Sequence, residues 1–470
     1  MTDRLKLAET KIRERVGEDI VVNTPPEQLT EPRGNYKNFA TRVIKPKNTN
    51  QVSTVLATLN EHKIGVIPYS GGTGLVGGQM APNSDFFLLS LEKMQALRDF
   101  SEADGVLVVE SGMILSKVHE EALRIKRKFP LSLASEGTCQ IGGNLATNAG
   151  GINVIRYGSA RNLCLGVEAV FADGTIYNGL ASLIKDNSGY DIRNLLIGSE
   201  GTLGVITAAS LKTFPLSDEK VVSMIKVESP GKAVMLLNQF QKVFENHIQA
   251  YELLSRKGLE FLNKGHFTFK EPFAERGDWM VLIEISGSKL FDLSRIFQDV
   301  LFKALRENWV IDAVIAQNET QEKELWQIRE NMSEANRQIG AIFSSDVSVP
   351  ISQISNFVFE AEKRVKKVSS ELQINCFGHL GDGNMHFNVF PPFGKNKCDF
   401  KHLKNDVGDA IHAVASKLNG SFSAEHGIGR LKVMDLEKYG DVGKLQFMKL
   451  IKSALDPNFI LNPGVIISEC

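Results

Sequence analysis

The run P-Y-S-G-G-T-G-L-V-G-G (residues 68–78) decides how the first half of the chain is read. Gly72-Thr73-Gly74-Leu75-Val76-Gly77 matches G-x-G-x-x-G, and a short strand signal, I-G-V-I-P-Y (64–69), precedes it. A dinucleotide fingerprint must also open a helix. The continuation Gly78-Gln79-Met80-Ala81-Pro82 does not propagate one, so a Rossmann reading fails. What remains is a loop with five glycines between residues 70 and 78 and no large side chain before Leu75. Successive backbone N–H groups in such a loop form an anion-binding concavity without Lys or Arg, large enough in chemistry for a pyrophosphate.

Two further stretches share this style. S-E-G-T-C-Q-I-G-G-N-L-A-T-N-A-G-G-I-N-V-I-R-Y-G (135–158) carries Gly137, Gly142, Gly143, Gly150, Gly151 and Gly158, which let backbone lie against a flat or charged ligand. Its Asn144, Thr147 and Asn148 add neutral hydrogen-bonding groups. G-S-E-G-T-L-G-V-I-T (198–207) repeats the pattern at a strand start. Three glycine-rich pieces in one domain point to one large cofactor touched from several loops.

The chain around them is long, 470 residues, and requires more than one core. Hydrophobic (43%) and charged (23%) fractions are those of a globular protein, and a net charge of −1 gives no reason to expect nucleic acid or an anionic membrane as partner. Cys139, Cys164, Cys376, Cys398 and Cys470 are scattered without C-x-x-C, which excludes an iron–sulfur or Cys-type zinc site and points to a reducing compartment. The first 20 residues carry many acids and no apolar core, and no apolar run approaches the ~18 residues of a membrane span. The expectation is a cytoplasmic protein without a transmembrane segment.

Periodicity places helices at 1–20, 49–63 and 116–126 and strands at 64–69, 86–91, 105–112, 167–172 and 203–211, with little pattern across 132–158. P-L-S-D-E (215–219) reads as a boundary. Beyond it the expected order is strand 221–227, helix 231–246, strand 280–285, helix 289–307, strand 309–315 and helix 319–339. That is an α+β sandwich, an antiparallel sheet with covering helices on one face. In the last helix Leu325, Ile328, Met332, Ala335 and Ile339 make the buried seam, with Arg329 and Ser333 one turn apart on an adjacent face.

In N-C-F-G-H-L-G-D-G-N-M-H-F-N (375–388), Asp382-Gly383 between apolar runs signals a hairpin. Counting outward from a turn centred there sets Gly381 against Asn384, Leu380 against Met385 and His379 against His386, two imidazoles on one face where a metal ion could take both. Asn388 lies two residues on and shares that face.

Taken together, P-Y-S-G-G-T-G-L-V-G-G, Q-I-G-G-N-L-A-T-N-A-G-G-I-N-V-I-R-Y-G and G-S-E-G-T-L-G-V-I-T resemble the FAD-binding domain of the vanillyl-alcohol-oxidase/p-cresol-methylhydroxylase superfamily. G-H-L-G-D-G-N-M-H-F-N-V, S-A-E-H-G-I-G and the closing L-N-P-G are similar to its D-2-hydroxyacid dehydrogenase branch, which includes D-lactate, glycolate and D-2-hydroxyglutarate dehydrogenases. The resemblance runs in order over nearly the whole chain. It implies a two-part FAD-binding domain at 1–215, a substrate and metal domain at 216–424, and a segment at 425–470 that returns to the flavin.

It also implies FAD held at its pyrophosphate by Ser70, Gly71, Gly72, Thr73, Gly74, Leu75, Gly77 and Gly78. Around the rest of the flavin it implies Glu136, Gly137, Thr138, Ile141, Gly142, Gly143, Asn144, Thr147, Asn148, Gly150, Gly151, Tyr157 and Gly158, then Glu200, Gly201, Gly204, Val205 and Ile206, and Asn462 from the C-terminal segment. Residues 68–82 and 135–158 contain no His, so the FAD is expected to be non-covalent.

Glu425, in S-F-S-A-E-H-G-I-G (421–429), joins His379 and His386 as a His₂-carboxylate set for a catalytic divalent metal, zinc by ligand type, with Mn or Fe as alternatives. The resemblance gives His426 the role of base in oxidising a D-2-hydroxy acid to its 2-oxo acid, the hydride going to flavin N5. Arg329 and Ser333 resemble the residues that hold an acid group of 2-hydroxyglutarate in relatives, and Asn388 is expected beside the metal. In I-F-S-S-D-V-S-V-P (342–350) the diacid-using relatives carry a Lys two positions before the Asp, where this chain has Ser344. D-2-hydroxyglutarate and D-lactate are both retained as substrates. Electrons must leave the flavin directly, to an electron-transfer flavoprotein, a quinone or a cytochrome. Oligomeric state is open, a homodimer included. Two other readings are a flavin-dependent alkylglycerone-phosphate-synthase-like transferase, whose run of consecutive histidines is missing here, and a non-catalytic flavin-binding subunit.

Overall fold

The computed structural model describes residues 2–468 apart from 33, 35 and 276. The chain divides into two compact units, one formed by 1–151, 158–216 and 425–470, the other by 152–157 and 217–424.

The first unit contains a four-stranded and a five-stranded sheet. In the four-stranded sheet, Arg42–Ile44, Phe87–Ser90 and Val66–Tyr69 run parallel, and Val21–Asn23 adds antiparallel at one edge. Helix Thr49–Glu61 starts at Asn48, whose side chain accepts from the Gln51 amide, and its Val52, Val55, Leu56 and Leu59 pack on Ile44, Val66, Phe87 and Leu89. The five-stranded sheet is antiparallel, in the order Leu97–Ser101, Val106–Glu110, Val205–Lys212, Cys164–Val170, Ile176–Gly179. The first helix is shorter than its periodicity, Asp3–Val16, because Gly17 ends it at φ +133°. The stretch 132–158, which has little pattern, holds the short helices Ile141–Ala146 and Val154–Tyr157.

Residues 460–462 finish the edge of the parallel sheet. The Val66 amide donates to the Ile460 carbonyl at 2.7 Å, and the Asn462 amide to the Val66 carbonyl at 2.9 Å. A buried cation fixes this return. Lys452, on helix Val442–Leu455, donates through Nζ to Asp456 Oδ2 at 2.5 Å, the Leu461 carbonyl at 2.7 Å and the Thr202 carbonyl at 2.8 Å. Asp456 in turn accepts from the amides of Ile460 and Leu461.

The second unit is built on a seven-stranded antiparallel sheet. Its order is Asp312–Ile315, Glu219–Val227, Trp279–Gly287, Ile248–Ser255, Gln373–Gly378, Asn384–Phe390, Phe343–Ser348. Helices cover both faces, where the sequence pattern predicts them on one, because each face of the sheet carries its own apolar core. Pro230–Phe244, Leu293–Arg306, Ile354–Val368 and Lys404–Lys417 bury Phe240, Phe297, Phe357 and Val407 with strand residues such as Ile225, Ile283 and Phe387. Arg256–Lys264 and Glu319–Ile339 bury Leu259, Phe261, Leu325 and Met332 on the other face, with Leu254, Leu282 and Phe377.

The hairpin register differs from the sequence expectation. His386 pairs with Phe377, and Asn388 with Asn375; His379 does not face His386 across the ladder. The cause is the connection, which is wider than a two-residue Asp-Gly turn. Strand Gln373–Gly378 stops one residue before His379, a 3₁₀ turn spans Leu380–Asp382, and Gly383 sits at φ +86°. The His379 carbonyl accepts the amides of Asp382 and Asn384, both at 3.2 Å. Among the described residues no helix is long and apolar enough to cross a membrane.

Replacing Lys452 with Ala should strand the Asp456 carboxylate, which is 0% exposed. Breaking a buried pair in this way costs about 3–5 kcal/mol. A denaturant midpoint that barely moves would remove the ion pair as the anchor of the return.

Candidate active site

A cleft lies within the first unit. Its wall is made of the loops read from sequence. Ser70, Gly71, Gly72, Thr73, Gly74 and Gly78 line it, with Gly142, Gly143, Asn144, Thr147, Glu200, Gly201, Gly204, Val205, Ile206, Asn462 and His426. Gln79, Cys139 and Gln140, from the same glycine-rich stretches, line it as well, together with Leu89 and Ser111, which no motif in the sequence marks. Leu75, Gly77, Glu136, Gly137, Thr138, Ile141, Asn148, Gly150, Gly151 and Gly158 are not on its wall.

The glycines are there because backbone meets backbone. A Cβ on Gly71 would collide with the Thr138 carbonyl oxygen and come within 2.8 Å of Cys139 Cα. Ser70 Oγ accepts from the Gly143 amide at 3.2 Å and lies 3.2 Å from Gln140 Oε1, which locks the first glycine loop to the start of helix Ile141–Ala146. Three polar atoms on the wall, Ser111 Oγ, Asn144 Oδ1 and Asn462 Oδ1, are buried without a hydrogen-bond partner in the protein. Buried polar groups in native proteins are rarely left so, and here they fit a polar ligand that lies along glycine backbone. The donor set is neutral, as an extended cofactor with its own phosphate charge requires.

Glu200 lines the cleft but aims its carboxylate into the protein. It accepts from the amides of Ile428 at 2.7 Å and Gly429 at 2.8 Å, and its carbonyl accepts from Asn462 Nδ2 at 2.8 Å. Burial pushes its carboxyl up to about 7, with the two amide bonds and Lys432 pulling the other way. The turn that carries His426 is therefore tied to the cleft loops. Glu425 Oε1 accepts from the Gly151 amide at 2.8 Å.

The second unit carries the other sequence candidates. The rings of His379 and His386 have centroids 5.3 Å apart. Register set them apart, yet parity kept them on one face, since His379 follows Phe377 by two and Phe377 pairs with His386. Glu252, on strand Ile248–Ser255, lies between His379 and Arg329. Its Oε1 is 2.7 Å from His379 Nδ1 and its Oε2 is 2.7 Å from Arg329 Nε. Burial alone would raise this carboxyl; its pairing with His379 and Arg329 overcomes that and brings it down to about 2. The Arg329 guanidinium also lies 4.8 Å from the centre of the Phe377 ring.

Sequence reasoning missed Glu252. The available signal was an acid inside the apolar run I-Q-A-Y-E-L-L-S (248–255).

Asn388 is buried and donates to the carbonyls of Asn375 and His386. Ser344 pairs with it across the ladder and is exposed, and Ser333 is exposed on helix Glu319–Ile339. Asp346 pairs with His386, accepts from Asn384 Nδ2 at 2.9 Å, and its carbonyl takes the Ala424 amide at 3.1 Å, one residue before Glu425 in the chain. Tyr157 belongs to this unit; the Arg156 guanidinium stacks on its ring at 4.9 Å and donates to the Ser286 carbonyl and hydroxyl.

Comparison with known proteins places the chain in a family. Residues 40–179 match the family model described as FAD binding domain, and residues 216–466 match the one described as FAD linked oxidases, C-terminal domain. The chain is similar to D-2-hydroxyglutarate dehydrogenase, mitochondrial, of Arabidopsis thaliana, 34% identical over 435 residues, covering 92% of this chain and 76% of the relative. It is likewise 34% identical over 420 residues to D-2-hydroxyglutarate dehydrogenase of Xanthomonas citri pv. viticola, covering 89% and 87%. In fold it resembles p-cresol methylhydroxylase solved with substrate bound, with a TM-score of 0.78 at 18% identity, covering 100% of this chain and 98% of the other.

Gly71→Ala should weaken FAD binding roughly 10- to 100-fold, from the ~1–3 kcal/mol that overpacking against backbone costs. The ratio of flavin to protein absorbance in the purified variant measures it, and a wild-type ratio would show that this glycine has no part in holding the cofactor.

Proposed function

Because the chain belongs to the FAD-linked oxidases, in their FAD-dependent D-2-hydroxyacid dehydrogenase branch, we propose that it oxidises D-2-hydroxyglutarate to 2-oxoglutarate in a cleft shared by flavin and His426. The observation that carries this is the composition of that cleft. Glycine backbone, three buried polar atoms without protein partners and one imidazole meet on a single wall within the first unit. In this reading 1–215 is the flavin-binding part, 216–424 the substrate part and 425–470 the return.

Bound FAD supplies the two-electron acceptor for the hydrogen on C2. A divalent cation, zinc by the nature of the donors, supplies Lewis acidity that favours the alkoxide over the alcohol. His379, His386 and Glu425 are the proposed donors, and the side-by-side imidazoles of the second unit support the first two. His426 accepts the hydroxyl proton at a ring nitrogen, a task that a neutral imidazole performs near pH 7. Glu200 holds the turn on which His426 stands by two amide bonds.

A second substrate reading, a monoacid such as D-lactate, has its own support. Arg329, the cation suited to a distal carboxylate, already shares its charge with Glu252, and Ser344 brings none. The electron acceptor is proposed to be an electron-transfer flavoprotein, a quinone or a cytochrome, and the site of action the cytoplasm. Among the described residues three buried thiols and one exposed thiol, all free, support a reducing compartment, and fractionation of source cells tests it against the mitochondrial name of the plant relative.

Anaerobic addition of D-2-hydroxy acids should bleach the flavin, and L-isomers should not. D-2-hydroxyglutarate should exceed D-lactate in kcat/KM; the reverse order would select the monoacid reading, and no bleaching by either would sink both. His426→Ala should slow flavin reduction about 10²- to 10⁴-fold while keeping FAD, the range expected for loss of a general base. A near-normal reduction rate would take that role from His426.

A further inference from the structure

We propose that Glu252 is the positioning residue for His379: its carboxylate holds the imidazole as the Nδ1–H tautomer, which makes Nε2 the donor atom of the ring, and Arg329 secures the carboxylate from its other side.

The argument is one of donors and acceptors. Glu252 is 0% exposed, and each of its oxygens faces one partner at 2.7 Å, His379 Nδ1 on one side and Arg329 Nε on the other. An ionised carboxylate can only accept, and a guanidinium can only donate. With Oε2 committed to Arg329, the proton between Oε1 and the ring belongs to Nδ1. In the neutral ring the lone pair then sits on Nε2.

The backbone does not orient this ring. His379 lies beyond the end of strand Gln373–Gly378, in the widened connection, so no ladder partner sets its side chain. What sets it is Glu252, from strand Ile248–Ser255. The same arrangement reaches His386. Arg329 stacks on Phe377, and Phe377 lies 5.3 Å from the His386 ring and pairs with it across the ladder. Charged groups beside the two imidazoles within this unit include Glu252, Arg329 and Asp346, whose Oδ1 is 4.0 Å from His386 Nδ1. Glu252 and Arg329 cancel, so His379 meets a neutral pair that fixes its proton without adding net charge.

For function this rests on the metal reading above: a ring with its lone pair on Nε2 is a cation ligand, and an outer carboxylate of this kind raises its basicity. The tautomer itself does not depend on a metal, which separates the two tests.

Substituting Gln for Glu252 gives a sharp expectation. The amide offers one acceptor and one donor. Arg329 can take only the oxygen, which turns the NH₂ toward His379, so Nδ1 must accept and the proton moves to Nε2. Long-range ¹⁵N–¹H correlation on histidine-labelled, metal-stripped flavoprotein reads this directly. Wild type should show the Nδ1–H pattern for His379, E252Q the Nε2–H pattern, and Glu252→Asp, which keeps a carboxylate, the wild-type pattern. An Nε2–H ring in wild type, or an unchanged ring in E252Q, overturns the proposal. If E252Q does not fold, the wild-type and E252D spectra still decide. Zinc affinity by competition with a chromophoric chelator should fall about 10- to 100-fold in E252Q, the usual effect of losing such a partner. Wild type that takes up no zinc would remove the metal reading and leave the tautomer result standing; zinc bound equally by both proteins would overturn the positioning role.

Discussion

Backbone pressed against backbone is the constraint on which the first unit depends. At Gly71 a methyl group has nowhere to go, because the Thr138 carbonyl occupies the space. Ser70 then reaches the Gly143 amide, and helix Ile141–Ala146 can start where it does. Every other feature of the cleft follows from this closeness. Loops that touch through their main chains leave a wall of amide groups and small side chains, and a wall of that kind suits a cofactor that brings its own charge. The absence of Lys and Arg from residues 68–82 is thus part of the design of the site.

The cleft was legible in sequence because glycine spacing is a local signal. Ser70 to Gly74, Gly142 to Asn144 and Glu200 to Ile206 could all be named before their neighbours were known. Ser111 could not, since nothing local sets it apart from any other polar residue near a strand end. The hairpin shows the limit from another side. Alternation told which face His379 and His386 share, because parity survives any change of two residues. The register did not survive, because the turn type depends on Gly383, where a side chain would run into the Val349 carbonyl, a contact from elsewhere in the fold. Glu252 is the plainest loss. A lone acid in an apolar strand announces a buried partner, but the partners, His379 and Arg329, are 127 and 77 residues away in sequence. Pairing at that distance is a property of the sheet order.

The same triad bears on what the substrate site recognises. An arginine on a helix face, read alone, is a clamp waiting for a carboxylate. Here one edge of the guanidinium is given to a carboxylate of the protein itself, and its flat face to Phe377. Charge near a substrate is a sum over neighbours, and a residue type carries no specificity until its partners are counted.

The division of the chain between the two units has a consequence for how the protein is made. The first unit is interrupted twice, at 152–157 and at 217–424, and its last part is 425–470. Until that part emerges, strand Val66–Tyr69 lacks the backbone partners at 460 and 462, and Thr202 lacks the Lys452 ammonium. At about 5–20 residues per second, the first unit waits roughly 10–40 s on the ribosome while the second is translated. Over that interval the edge of the parallel sheet presents unpaired backbone groups, a template for pairing with another chain. Neither unit can be cut from the gene as one contiguous fragment, and the second unit, though later in the sequence, is the first to have all its parts.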